Sequence, residues 1–328
     1  MKALVCPEKN ADFQIQEIPL PECDKGMALV QLHAAALNHR DLWISKGQYA
    51  RIQYPFIPGS DGCGTVIRCD DAPEWIGKKV IINPNINWGD DPRAQSALYQ
   101  ILGMPTQGTC AEYIAVPVDR LHAKPAHLDD IQAAALPLAG LTAWRAVYHS
   151  AHIKAGENVL ITGIGGGVAL MAFQFALALG ANIWVSSGDD AKIQKAISMG
   201  AKGGANYHHA NWTSELPGGN FDCIIDSAGG AQLNTLVQIA AAAARIVFYG
   251  ATLGSVPELV LQRIFWKQLS LKGCTMGNDQ EFAEMLDFTS QKNIIPLTDS
   301  IYPLEQGHQA FQLMEKGKQF GKIVLTIS

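Results

Sequence analysis

The sequence predicts an α/β protein built in two parts, a mainly antiparallel β domain and a doubly wound parallel sheet. Three observations predict it. A glycine-rich turn joins an apolar strand to an apolar helix over 158–179, and further short apolar strands alternate with helices beyond it. The first 120 residues instead carry short alternating strands broken by Pro and Gly.

The elements follow in chain order. Residues 1–7 read as a first β-strand and are too short for the core of a signal peptide. Strands are expected at 28–33, 64–67 and 79–82, where apolar and polar residues alternate. At Asn158-Val159-Leu160-Ile161 a β-branched run enters the glycine cluster Gly163-Ile164-Gly165-Gly166-Gly167. A helix apolar almost all round then runs from Val168 to Leu179 and is stopped by Gly180. Strand, tight turn and helix in that order are the dinucleotide-binding unit of a Rossmann sheet, whose glycines let the backbone approach a pyrophosphate at a helix N-terminus. Ala169 stands at the third glycine position of the usual fingerprint, an accepted variant.

Strand-like runs follow at 183–185, 221–226 and 245–250, separated by helical stretches near 189–199 and 231–243. The alanine-rich pieces 133–135 and 240–244 read as packed helix rather than linker. Residues 268–274 read as the last strand of the parallel sheet. The tail adds amphipathic helices around 279–290 and 304–316 and a strand at 322–326. The expected division is 1–124 for the β domain, 125–267 for the Rossmann domain, and 268–328 for the last Rossmann strand and the return to the β domain.

Composition bounds the function. A chain of 328 residues suggests about two domains, and 48% hydrophobic with 17% charged residues suits a globular enzyme. A net charge of −5 gives no basic footprint, so nucleic acid is not an expected partner. The longest apolar helix falls short of the ~20 residues that cross a membrane, so no membrane partner is expected. Seven scattered cysteines with no Cys-x-x-Cys pair read as reduced thiols of a cytoplasmic protein.

Five landmarks carry a resemblance: Ala36-Leu37-Asn38-His39-Arg40-Asp41-Leu42, Pro58-Gly59-Ser60-Asp61-Gly62-Cys63-Gly64, Gly108-Thr109-Cys110-Ala111-Glu112-Tyr113, Leu136-Pro137-Leu138-Ala139-Gly140-Leu141-Thr142-Ala143, and Phe320-Gly321-Lys322-Ile323-Val324-Leu325. Over essentially its whole length the chain resembles the medium-chain dehydrogenase/reductase family. The resemblance implies a GroES-like catalytic domain, a cofactor domain, and an active site in the cleft between them. In zinc-dependent members Cys, His and Cys or Asp hold the catalytic metal beside a Glu. The matching positions here look like Asn38, Ser60 and Leu138, with Asp61 in place of the Glu. Leucine cannot ligate zinc, and Asn and Ser are poor substitutes for thiolate and imidazole. The structural-zinc lobe needs four close cysteines, and none lies between Asn83 and Thr109. His208 and His209 lack a Cys or acid at ligand spacing and read as surface loop. No zinc is expected.

The resemblance then points to the quinone-oxidoreductase-like branch, in which an Asn replaces the lost cysteine and a Tyr follows. Asn38 is expected to polarise the acceptor and Tyr49 to donate a hydrogen bond or proton, while Asp61 orients neighbouring groups. Without a Lewis acid, hydride delivery to a quinone or activated C=C is the accessible chemistry. Gly163, Gly166, Gly167 and Val168 are expected at the cofactor phosphates. Gly250, ending the strand at 245–250, is grouped with them. His39 is expected near the pyrophosphate and Thr142 on the nicotinamide side. Ser187 stands where an NAD-specific protein places an acid for the ribose hydroxyls. Lys192 and Tyr207 match positions that embrace the 2′-phosphate in NADPH-dependent relatives, so NADPH is the expected cofactor.

Trp88, Met104, Phe265, Trp266 and Met276, all expected on loops or domain junctions, are candidate walls for a flat apolar acceptor. Each fits core packing equally well. The strand at 268–274, if it is a sheet edge, can pair with its counterpart in a homodimer. Two alternatives stand beside the reductase: a zinc-type alcohol or aldehyde dehydrogenase with atypical ligands, and a non-catalytic NADPH-binding sensor.

Overall fold

In the computed structural model, which describes residues 1–217 and 220–328, a seven-stranded sheet carries the alternating segments of the early chain. Its order is Thr298–Pro303, Lys322–Thr326, Met27–Ala36, Asp61–Arg68, Lys79–Ile82, Leu121–Ala123, with Tyr113–Pro117 beside the first half of Met27–Ala36. Neighbours are antiparallel except Thr298–Pro303 and Lys322–Thr326, which run parallel. Alternation sends Val30, Leu32, Val66, Val80, Ile82, Ile323 and Leu325 into one buried cluster, the half-buried pattern that period-two sequences specify. Gly64 is required where two strands crowd: a Cβ there would stand 2.1 Å from the Gln31 carbonyl oxygen.

Register decides what meets at one end of this sheet. Val324 pairs with Ala36, and Ala36 pairs with Asp61. Antiparallel counting from Val324 brings Lys322 level with Asn38, beside the first residue of Asp61–Arg68. Three polar residues far apart in sequence are thus delivered to one spot by backbone pairing alone.

The chain divides into two units, Met1–Leu141 with Gly277–Ser328, and Thr142–Met276. The division falls later than the expected 124/125 boundary. The helix Asp130–Ala134 belongs with the antiparallel sheet because Asp130 accepts from Lys79 Nζ at 2.9 Å and pairs with His33 Nδ1 at 2.9 Å. Burial alone would raise the Asp130 pKa, but those two partners hold it below the usual carboxylate value. Ser270–Gly273 is hydrogen-bonded into the parallel sheet, and the chain rejoins the first unit from Gly277.

The second unit holds six parallel strands in the order Gly203–Asn206, Asn182–Ser187, Asn158–Ile161, Phe221–Asp226, Ala240–Phe248, Ser270–Gly273. The two strands that come between Asn158–Ile161 and Phe221–Asp226 in sequence lie to one side of Asn158–Ile161 and the later ones to the other, the doubly wound order of a Rossmann sheet. The apolar helix is Gly167–Ala178. One expectation fails here: Ala240–Ala244 are strand, not helix. The helix Gln232–Ile239 is ended by Lys267, whose ammonium takes the carbonyls of Gln238 at 2.7 Å and Ala240 at 2.8 Å. Ala240 then pairs with Phe221, so sheet pairing overrides the helix propensity of an alanine run.

Candidate active site

At the end of the antiparallel sheet, the Lys322 ammonium donates to Asn38 Oδ1 at 2.6 Å and to Asp61 Oδ2 at 2.9 Å. Asn38 Nδ2 donates to the same Asp61 oxygen at 2.9 Å, and the other Asp61 oxygen accepts the Leu138 N–H at 2.7 Å. Asp61 is fully buried and the Lys322 side chain is 6% exposed. The two charges fix the Asn38 amide. Flipped, its oxygen would face a carboxylate and its NH₂ an ammonium. One Asn38 N–H is therefore spent on Asp61, and among the described residues the amide nitrogen's only other contact is a long 3.5 Å one to the Ala36 carbonyl. Asp61 thus holds Asn38, Leu138 and Lys322 together, and Lys322 is a partner that sequence reasoning overlooked.

A second buried cation lies beside this cluster. Arg40 Nη1 donates to Ser60 Oγ at 2.7 Å and to the Leu102 carbonyl at 2.9 Å. Its guanidinium carbon lies 5.3 Å from the centroid of the Tyr49 ring, which is 41% exposed. Asp41, wholly buried, accepts the N–H groups of Asn38 and Gly59. Burial pushes its pKa up, against the pull of Arg40. Burial likewise raises the Cys110 thiol well above its ordinary value, which makes it a packing residue rather than a nucleophile.

These engagements test the family's zinc site. Asn38 Oδ1 is taken by an ammonium, Ser60 Oγ accepts from a guanidinium and donates to the Leu102 carbonyl at 2.7 Å, and Leu138 has no side-chain donor. Two fixed positive charges among the positions that would have to hold a dication repel it, and the donor atoms are poor zinc ligands in any case. The residues do not fit zinc.

The second unit is shaped for a dinucleotide. Gly163 has φ +65°, and a Cβ there would meet Ser227 Oγ at 2.6 Å. The helix Gly167–Ala178 starts from Gly166 with no side-chain cap, and a helix N-terminus of this kind favours negative charge. Beneath the turn, Thr162 Oγ1 donates to Asp226 Oδ1 at 2.6 Å and accepts the Ser227 N–H, while Asp226 also takes the Gly229 N–H. This buried pair ties the glycine turn to the next strand. Gly250 sits close to it, since a Cβ there would lie 2.8 Å from the Ser227 carbonyl oxygen. Val168 occupies the first turn of the helix.

Ser187 ends its strand buried, with Oγ accepting the Asp189 N–H at 3.2 Å. Asp189 is spent capping the next helix through the Ala191 N–H. The Tyr207 N–H bonds the Ser187 carbonyl, and the Tyr207 hydroxyl and His208 ring crowd Gly188, where a Cβ would meet them at 2.8 and 2.6 Å. Lys192 stands in the first turn of the helix Asp190–Ser198. Ser187 and Tyr207 are thus brought together at this strand end, with Lys192 on the helix that leaves it. Thr142 is buried in the same unit, its hydroxyl 3.7 Å from Met276 Sδ. His39 opens the helix His39–Ser45 in the first unit and is exposed.

The candidate wall residues scatter. Trp88 is buried in its own loop, donating to the Asp91 carbonyl and packing edge-on against Tyr99. Met104 belongs to the core of the first unit, and Met276 is buried in the second. Phe265 and Trp266 lie on the helix Leu261–Trp266 rather than a loop, 66% and 83% exposed. Arg40 and Lys322 are the site residues that sequence reasoning missed. For Lys322 the available signal was a cation at the head of the apolar run Ile323-Val324-Leu325; Arg40, set among Asn38, His39 and Asp41, offered none.

The comparisons agree with this architecture. The "Alcohol dehydrogenase GroES-like domain" model matches residues 24–126, and the "Zinc-binding dehydrogenase" model matches 167–291. A zinc-type alcohol dehydrogenase-like protein YogA from Leptosphaeria maculans is 36% identical, covering 96% of this chain and 94% of the relative. The quinone oxidoreductase of Mus musculus is 28% identical, over 94% of this chain and 91% of its own. The crystal structure of an NAD-dependent alcohol dehydrogenase superposes with a TM-score of 0.93 at 32% identity, covering 100% of both chains. An antiparallel and a doubly wound unit in this order, each matched by its own domain model, make the chain a member of the medium-chain dehydrogenase/reductase family, an oxidoreductase of NAD(P)-dependent type.

Proposed function

We propose that the protein is a zinc-independent reductase that passes hydride from NADPH to a quinone or an activated C=C acceptor. The observation that carries this reading is the Lys322 ammonium seated on Asn38 and Asp61, within the ligand positions of the family's metal. A carbonyl-bearing acceptor needs its developing negative charge stabilised, and fixed hydrogen-bond donors can do this without a Lewis acid. Asn38 keeps one N–H held only by the long Ala36 contact, which suits the polarising role. Tyr49, exposed and near Arg40, suits the donor or proton source. NADPH, when bound, supplies the hydride. Gly163, Gly166, Gly167 and Val168 would hold its phosphates, with Ser187, Lys192 and Tyr207 at the adenosine end. Absence of an acid at Ser187, with Asp189 committed to its helix cap, supports NADPH over NADH. The seven free thiols fit a cytoplasmic setting.

A second reading, zinc-type alcohol dehydrogenation, takes its support from the names of several relatives. NADPH consumption by metal-stripped protein, against ortho- and para-quinones, an α,β-unsaturated ketone and simple aldehydes, separates the two. Turnover without metal is expected on the quinones or the enone. Activity that returns only with added zinc would overturn the proposal.

We further propose a homodimer. Ser270–Gly273 is the last strand of its sheet, and the neighbouring helix exposes Leu261, Phe265 and Trp266. An open edge flanked by large apolar side chains is self-complementary across a two-fold axis. Light scattering at micromolar concentration should give twice the 35.4 kDa chain mass; a monomer would refute the dimer.

A further inference from the structure

Two of the three Arg40 guanidinium nitrogens are without a partner among the described residues. The residue is 9% exposed, and Nη1 is spent on Ser60 and Leu102, yet Nε and Nη2 are buried with no hydrogen bond. Buried charged donors in native proteins are almost always paired, so two idle nitrogens on one guanidinium require an explanation. Asp41, the carboxylate 3.7 Å from Nη1, already accepts the N–H groups of Asn38 and Gly59. Lys322 and Asp61 are committed to each other.

The geometry of the idle atoms is specific. In a guanidinium, Nε–H and one Nη2–H point the same way along one edge, and that edge matches the two oxygens of a carboxylate through a pair of parallel bonds. Ser60 and the Leu102 carbonyl hold the opposite corner and stop the group from turning. Over the guanidinium lies the half-exposed ring of Tyr49. A stacked aromatic shields a cation at modest energetic cost and can rotate away.

We propose that the Nε/Nη2 edge of Arg40 binds a carboxylate on the acceptor, Tyr49 moving aside to admit it, so that the preferred acceptor is an unsaturated acid rather than a neutral ketone. This rests on the reductase reading for its setting, but its test does not depend on turnover. Calorimetric titration of the full-length protein with cinnamate and with its methyl ester should show the acid binding at least ten-fold more tightly. Arg40→Lys keeps the charge but loses the parallel pair of bonds, and should remove most of that preference while NADPH affinity, read by fluorescence, stays unchanged. Equal affinity of the wild-type protein for acid and ester would overturn the proposal, as would binding of neither at millimolar concentration. A loss of NADPH affinity in Arg40→Lys that matches the loss for cinnamate would also overturn it, assigning the edge to a cofactor phosphate. Tight acid binding without hydride transfer would leave the carboxylate site standing and refute the reductase reading instead.

Discussion

Lys322→Met is expected to lower the stability of the first unit by about 3 kcal/mol, because it strands the fully buried Asp61 carboxylate with only the Asn38 amide and the Leu138 N–H. In a chain of this size that corresponds to a fall in melting temperature of roughly 4–5 °C. Removing one member of a buried pair costs more than removing both, so Lys322→Met combined with Asp61→Leu should be less damaging than the sum of the single changes. The coupling should exceed about 1 kcal/mol. Urea unfolding followed by tryptophan fluorescence measures all three variants. Strict additivity would mean that the ammonium and carboxylate do not stabilise each other. Activity should fall at least ten-fold in Lys322→Met, since the Asn38 amide loses the charge that fixes its orientation, and Lys322→Arg should recover part of it.

Ser187→Asp is expected to invert the coenzyme preference. Ser187 is buried at the end of its strand, with the Tyr207 N–H on its carbonyl. A carboxylate there would offer bonds to the two ribose hydroxyls of NADH and would repel a 2′-phosphate. The NADPH dissociation constant should rise about 100-fold, ~2.7 kcal/mol, while that for NADH stays level or falls. Lys192→Ala should weaken NADPH alone, by roughly ten-fold. Fluorescence titration with both coenzymes decides the matter. If Ser187→Asp weakened NADPH and NADH equally, the strand end would not be the discriminating site.

Most of the architecture was legible because strand periodicity and glycine punctuation are local signals. The run Asn158–Ile161 followed by glycines could hardly form anything but a strand and turn, and the alternation over Met27–Ala36 fixed which face is buried. Ala240–Ala244 misled because alanine carries no packing information of its own; the partner strand and the Lys267 cap decide its conformation. The site was legible only in part. Asn38 and Asp61 stood out through the positions they share with the family, and the inward turn of the Asn38 amide depends on a charge 284 residues away. Arg40 looked like an ordinary helix cation, and only the three-dimensional fate of each nitrogen sets it apart. For the candidate wall residues, side-chain type could not separate the buried Met104 from the exposed Trp266.

The discontinuity of the first unit bears on how the protein is made. While residues 1–141 emerge from the ribosome, the far half of Met27–Ala36 has no neighbour on the side that Lys322–Thr326 will later fill. A nascent chain therefore carries an open, apolar strand edge throughout synthesis of the 135 residues Thr142–Met276 and most of the returning segment Gly277–Ser328. Closing that edge also delivers Lys322 to Asp61. The same late event that removes the aggregation hazard neutralises the buried carboxylate, so chains interrupted during translation would be marked by both defects at once and open to chaperone capture.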